Sequence, residues 1–179
     1  TVHQGSVLDA DFIKSLGSFD VVYSWGVLHH TGSMWQALNN ARLPLKNGGK
    51  LFIALYNDQG LRSTIWKGVK KLYCSSTPGR IAVTAACIPC LSAAAAALDL
   101  FRGTNPLARY RDYARKNRGM TVYYDWIDWL GGYPFEVARP QQVIDFYREK
   151  GLALQTLKTT SGWGNNEFVF VMPDRSPAQ

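Results

Sequence analysis

The chain has 179 residues, 46% hydrophobic and 18% charged, with a net charge of +7. That mix suits a globular domain with a sizeable core and excludes a disordered polymer, a coiled coil and a collagen-like repeat. Three cysteines cannot form an all-paired disulfide framework, so a reducing, cytoplasmic setting is expected.

Residues 19–25 form a short β-branched and aromatic run whose one charge lies near its start, the pattern of a strand buried on both faces. After Thr31-Gly32 the period turns helical: Met34, Leu38 and Ala41 are four and three apart, with Ser33 placed as N-cap. Pro44 ends or kinks this helix and Lys46-Asn47-Gly48-Gly49 makes a turn. Residues 51–56 then read as a second buried strand, which completes a βαβ unit with parallel strands.

Residues 58–137 lack a sustained strand pattern and read as a helical insertion, placed where α/β enzymes carry lids. The basic character sits here: from Asp58 to Arg139 there are twelve Lys/Arg against six Asp/Glu, while the flanks are nearly neutral. Residues 61–73 are basic and amphipathic, with Ile65, Trp66, Val69 and Leu72 available for one face. Residues 81–98 carry no charge, which suits a helix buried in the lid or one dipping into a bilayer surface better than a true span, since Pro89 lies in the middle. Residues 106–117 are polar and arginine-rich. Farther on, Arg139-Pro140 starts a helix that Gly151 stops. Residues 152–157 and 168–172 read as two final strands, with a connection short enough for an antiparallel hairpin.

Three pieces in order, Gly5-Ser6-Val7-Leu8-Asp9, the run from Phe19 through Gly26 to His29-His30, and the run from Leu45 through Gly48-Gly49 to Ile53, resemble class I S-adenosylmethionine-dependent methyltransferases of the small-molecule type. The likeness covers residues 1–57, and residues 140–171 are similar to the family's last helix and antiparallel strand pair. It implies an α/β fold: a partial Rossmann-like sheet, mostly parallel with a C-terminal antiparallel strand pair, plus the insertion. The organisation expected is the central part of the core at 1–57, the insertion or lid at 58–137, the C-terminal part of the core at 138–173 and a tail at 174–179.

The resemblance also implies a cofactor site for S-adenosyl-L-methionine at the carboxyl ends of the parallel strands. Ser6 and Val7 match the turn that meets the adenine; many members have an acid where Ser6 stands. Asp9 is read as solvated or as capping the following helix. Ser24, Trp25 and Gly26 match the turn beside the methionine part, where a glycine lets the backbone approach closely. His29 and His30 follow. One of them facing the site would deprotonate the acceptor, since imidazole titrates near neutrality; the other reading is a histidine bonded to backbone. The family's acidic, glycine-rich turn and its ribose-binding acid do not occur before Gly5, so the chain is expected to be the carboxyl-terminal portion of a longer protein, holding half a cofactor site and lacking the N-terminal half of its fold.

Acceptor recognition is expected in residues 122–136, where Tyr124, Asp125, Asp128 and Tyr133 would combine aromatic wall and polar anchors. Equally, these aromatics would dock the insertion on a core. Arg109, Arg111, Arg115 and Arg118 would grip a phosphate or carboxylate or form a solvated basic face. Cys87-Ile88-Pro89-Cys90 has the C-x-x-C spacing, but Cys74 lies in a different helix and four ligands are wanted, so no metal site is expected and buried structural thiols are preferred. The function expected is methyl transfer to a small acceptor, a lipophilic or sugar-linked molecule suiting the lid. The alternative is a non-catalytic, membrane-peripheral or partner-binding module that keeps the fold. Nucleic acid ranks last, because charge alone supports it.

Overall fold

The computed structural model describes residues 1–116, 119–162 and 164–174. They form two compact units, one of Thr1–Ser63 with Pro134–Gln179 and one of Thr64–Tyr133.

The first unit is built on a four-stranded sheet in the order β1-β2-β4-β3. Strand β1 (Phe19–Trp25) pairs in parallel with β2 (Leu45–Tyr56), from Val21 opposite Lys50 to Trp25 opposite Ala54. Strands β3 (Ala153–Lys158) and β4 (Asn165–Val171) form the expected antiparallel pair, and β4 also runs antiparallel to β2. The turn read at residues 46–49 is an excursion within β2: Phe19 pairs with Leu45 and Val21 with Lys50, so the residues between bulge out. Gly48 takes a φ of +73° there, and Gly48 and Gly49 exchange backbone hydrogen bonds with Met172.

One face of the sheet carries the core. Leu51, Ile53 and Leu55 of β2 and Phe168 and Phe170 of β4 project to the same side, as period-two alternation requires, and are buried there. Helices α2 (Met34–Ala41) and α7 (Pro140–Glu149) contribute Met34, Leu38, Val143 and Tyr147 to the same cluster. The Tyr147 hydroxyl, fully buried, donates to the Leu38 carbonyl at 2.9 Å and so ties α7 to α2.

Two expectations are corrected here. Strand β1 is not buried on both faces: Val21, Tyr23 and Trp25 lie exposed, and only the side of Val22 and Ser24 meets the core. The physical reason is its place at the edge of the sheet, with one face covered by the unit's helices and the other open. Ser33 occupies the N-cap position of α2 but its side chain makes no cap bond; the Glu136 carboxylate, from a distant part of the chain, accepts the Met34 N–H at 3.0 Å instead.

The second unit is helical. Helix α3 (Leu61–Ser75) leads into it, followed by α4 (Thr77–Phe101), α5 (Pro106–Lys116) and α6 (Val122–Gly131). Its buried cluster is small: Tyr73, Val83 and Leu130, with Trp66, Val69 and Trp129 against them. Helix α4 is not buried in a lid. Of its most apolar 18-residue window only 6% is buried, because the cluster covers one narrow side around Val83.

Candidate cofactor and active site

The parallel strands β1 and β2 end together. Trp25 lies opposite Ala54, and Gly26 continues the ladder by donating its N–H to the Ala54 carbonyl at 3.2 Å. Gly26 then leaves the strand with a φ of +73°, a backbone conformation that a side chain disfavours, and the place where its Cβ would stand has no atom within 4 Å. The tip of β1 is therefore open, with Trp25 half-exposed beside it and Ser24 half-buried. These are the two features required of a strand end that a ligand approaches.

Beyond Gly26 a single 3-10 turn, Leu28–His30, brings the two histidines under the end of β2. Their environments differ. His29 is fully buried, stacked on Tyr56 with ring centroids 4.0 Å apart, and its Nδ1 accepts the Tyr56 N–H at 3.4 Å. His30 is half-buried, and its Nδ1 lies 2.7 Å from the Pro134 carbonyl oxygen. A carbonyl only accepts, so Nδ1 of His30 carries the proton and its Nε2 keeps the lone pair when the ring is neutral. For His29 the tautomer is reversed. The buried, backbone-bonded arrangement thus describes His29, and His30 is the one with a basic nitrogen to offer.

The segment 134–138 holds this turn in place. Glu136 donates its N–H to the His29 carbonyl at 3.0 Å while its carboxylate caps α2, and Ala138 donates to the Tyr56 carbonyl at 3.1 Å. Phe135 packs on Tyr56 at 5.2 Å. The far side of the β2 end is held by amides: the Asn57 side chain donates to the Thr160 carbonyl at 3.1 Å and accepts from buried Asn166 at 3.0 Å.

Ser6 and Val7 lie in a turn on the same unit. The Ser6 hydroxyl accepts the Leu8 N–H at 3.2 Å, and its carbonyl accepts the Asp9 N–H at 3.1 Å. Asp9 caps α1 (Ala10–Ser15), accepting from the Asp11 and Phe12 N–H groups at 3.0 Å each. Two side chains of α2 reach this turn from below: buried Asn40 donates to the Val7 carbonyl and Gln36 to the Leu8 carbonyl, each at 2.9 Å. The Val7 and Leu8 carbonyls are so occupied.

The expected acceptor-binding residues belong to the second unit. Tyr124 and Tyr133 are exposed, at 66% and 37%. Asp125 accepts a hydrogen bond from the Tyr113 hydroxyl at 2.5 Å, and burial together with that bond pushes the Tyr113 hydroxyl up to about 12. Asp128 acts on Lys70, whose ammonium is almost fully buried, lies 4.9 Å over the Trp129 ring and donates to the Trp129 carbonyl. Burial pulls that ammonium from its ordinary 10.5 to about 8, against the pull of Asp128. Trp129 and Leu130 pack α6 onto α3 within the second unit, through Trp66 and Tyr73.

Among the arginines, Arg109 forms two 2.6 Å hydrogen bonds to Asp99 and holds that carboxyl below its usual range, and Arg111 pairs with Asp112. Arg115 is exposed, and Arg118 lies outside the described residues. The thiols are not buried as expected: Cys74 and Cys90 are exposed and Cys87 half-buried, because Cys90 lies on the bare side of α4 and Cys74 at the end of α3. No group of three metal-binding side chains occurs among the described residues.

Sequence reasoning missed Tyr56, Asn57, Glu136, Asn40 and Gln36. Tyr56 had a signal, since it ends the strand parallel to β1. The others had none, because each acts on a backbone group far away along the chain.

A family model described as a methyltransferase domain matches residues 1–53. No curated protein matches the chain. Among solved structures the chain is similar to PKMT2 from Rickettsia typhi in complex with AdoHcy, with a TM-score of 0.53 and 14% identity over 96% of this chain and 39% of that one. It is also similar to an O-methyltransferase family protein from Burkholderia thailandensis, with a TM-score of 0.50 and 14% identity over 97% of this chain and 36% of that one. The chain thus spans under two-fifths of the length of these structures. Residues 1–53 are thus similar in sequence to a methyltransferase domain, and the chain over its length is similar in fold to parts of these two structures.

Proposed function

We propose that this chain supplies the strand-end half of an S-adenosylmethionine site and serves methyl transfer to a small acceptor. The observation that carries the reading is the open, left-handed Gly26 at the tip of β1, inside the segment matched to a methyltransferase domain. An adenosine-linked amino acid needs such a place, where a Cβ would otherwise fill the approach. In this reading the Ser24, Trp25 and Gly26 end lies along the methionine part, and Ser6 and Val7 meet the adenine edge.

When bound, the cofactor supplies a methyl group on a sulfonium, and transfer depends mainly on in-line positioning and exclusion of water. His30 is the residue suited to accept the proton that an acceptor O–H or N–H releases, at Nε2, because its Nδ1–H is held by the Pro134 carbonyl. His29 positions the turn through Tyr56. Tyr124, Asp125, Asp128 and Tyr133 are proposed to line the acceptor side, where a lipophilic or sugar-linked molecule would suit aromatic and acidic groups together. Further strands pairing along the free edge of β1 would bring the remaining cofactor contacts.

Titrating S-adenosylhomocysteine into the full-length protein tests this. Saturable binding is expected, weakened at least tenfold by Gly26→Val with the circular dichroism spectrum retained. Absence of binding to the unsubstituted protein overturns the enzymatic reading and leaves a module that has kept the fold.

A further inference from the structure

Helix α4 is long and apolar enough to cross a membrane: 25 residues, with a mean hydropathy of 2.1 over its most apolar 18-residue window. Such a window is ~27 Å long, close to the ~30 Å of a bilayer's hydrocarbon core. The sheet forbids the crossing. Strand β2 precedes α4 and β4 follows it, yet the two are hydrogen-bonded neighbours from Lys50 opposite Val171 to Tyr56 opposite Asn165. A single crossing would put them on opposite sides of the bilayer. A return crossing has no candidate among the described residues: α3, the longest other helix between β2 and β4, has 15 residues, ~22 Å, and α5, α6 and α7 have only 11, 10 and 10, ~15 Å each.

What remains is a helix that meets lipid with both ends on one side. Its bare flank repeats at helical spacing: Ile81, Ala85, Ala86, Ala93, Ala94, Ala97 and Leu98 are exposed, Leu100 and Phe101 carry the apolar surface to its last residue, and Leu107 continues it beyond. Phe101 is 90% exposed. The surroundings carry the complementary charge for an anionic surface. Between Gln59 and Arg115 the chain has nine basic residues against two acidic ones. Both of those acids, Asp99 and Asp112, are already paired with arginines. Lys67 and Lys71 on α3, Arg80 at the start of α4 and Arg102 at its end are exposed. At that end a cleft of about 570 Å³ is lined by the Arg109–Asp99 pair and by Arg102, Thr104 and Asn105, the last three bearing donors of the kind a lipid phosphate accepts.

We propose that α4 is an in-plane membrane contact: it lies in the interface of one leaflet of an anionic bilayer, apolar flank down, with Lys67, Lys71, Arg80 and Arg102 at the level of the headgroups. Apolar burial and electrostatic attraction are two signals acting together, as durable peripheral binding requires. The inference stands whether or not the chain transfers methyl groups.

Vesicle flotation of the full chain tests it, with phosphatidylcholine vesicles with and without phosphatidylglycerol. The protein is expected to float with the anionic vesicles and to be released by high salt. The bound fraction is expected to fall at least fivefold on phosphatidylcholine alone and with Lys67→Glu combined with Lys71→Glu, and at least tenfold with Ala86→Asp combined with Ala94→Asp. Trypsin added outside should cut on both sides of α4 in the bound state. Protein left at the bottom of the gradient at low salt overturns the proposal, as does protection of one side only. A concentration-dependent dimer that Ala86→Asp with Ala94→Asp abolishes, without flotation, would assign the flank to a second copy and also overturn it.

Discussion

Around β2 the chain buries its apolar side chains against one another, whereas along α4 it leaves them in contact with water. Leu51, Ile53, Leu55, Phe168 and Phe170 are all at most 2% exposed, and two helices close over them. The helical unit has apolar residues in abundance but only Tyr73, Val83 and Leu130 buried in its cluster. The difference lies in pattern. Period-two alternation on paired strands gathers one row of side chains per strand onto a common face, and an amphipathic helix such as α7 can cover that face. Helix α4 is apolar all round, so its neighbours α3 and α6 cover one side and nothing in its own sequence turns the other side away from solvent.

The strongest way to break that comparison is to remove volume from each core in turn. Phe170→Ala should cost about 4 kcal/mol and Leu130→Ala about 3 kcal/mol, typical of large-to-small changes at fully buried positions. Hydrogen exchange should then show β2 and β4 losing protection in the first variant and α3 and α6 in the second. Equal loss everywhere in both would mean that the units fold as one.

A smaller effect concerns Lys70. Its ammonium is charged in the folded and unfolded chain below pH 8, where the burial penalty is felt in full. As pH rises from about 8 towards 10.5 the folded form gives up its proton first, so the unfolded form holds more protons and stability rises. Lys70→Met should remove this rise, seen as a smaller gain in denaturation midpoint between pH 8 and 10 than in the unsubstituted protein. An identical pH profile would show that Lys70 is not buried as described.

The smallest expected change is at Glu136. Glu136→Ala takes the cap from α2 and should cost about 1 kcal/mol, read by chemical denaturation. Ser33→Ala should cost almost nothing. The reverse order would restore the local cap that the sequence suggests.

Much of the first unit was legible along the chain. Strands β1 to β4, α2 and α7 all carry local signals: β-branched runs, the shift to helical period at Met34, Pro44, Arg139-Pro140 and Gly151. Asp9 as a cap is equally local, since its partners are the next two or three N–H groups. Candidate site residues were legible only as far as resemblance carried them. The separation of His29 from His30, one interior and one offering Nε2, depends on Pro134 and Tyr56, which lie 104 and 27 residues away.

Composition and periodicity by themselves determined the order of strands and helices and that the basic charge and longest apolar run share the insertion, because each is a property of neighbours in sequence. Tertiary structure alone decided that β1 is an exposed edge, that a glutamate 102 residues away caps α2 and that β2 and β4, on either side of α4 in the chain, pair with each other. Each of these depends on which distant segments are hydrogen-bonded together, and pairing between β2 and β4 is written in no local pattern.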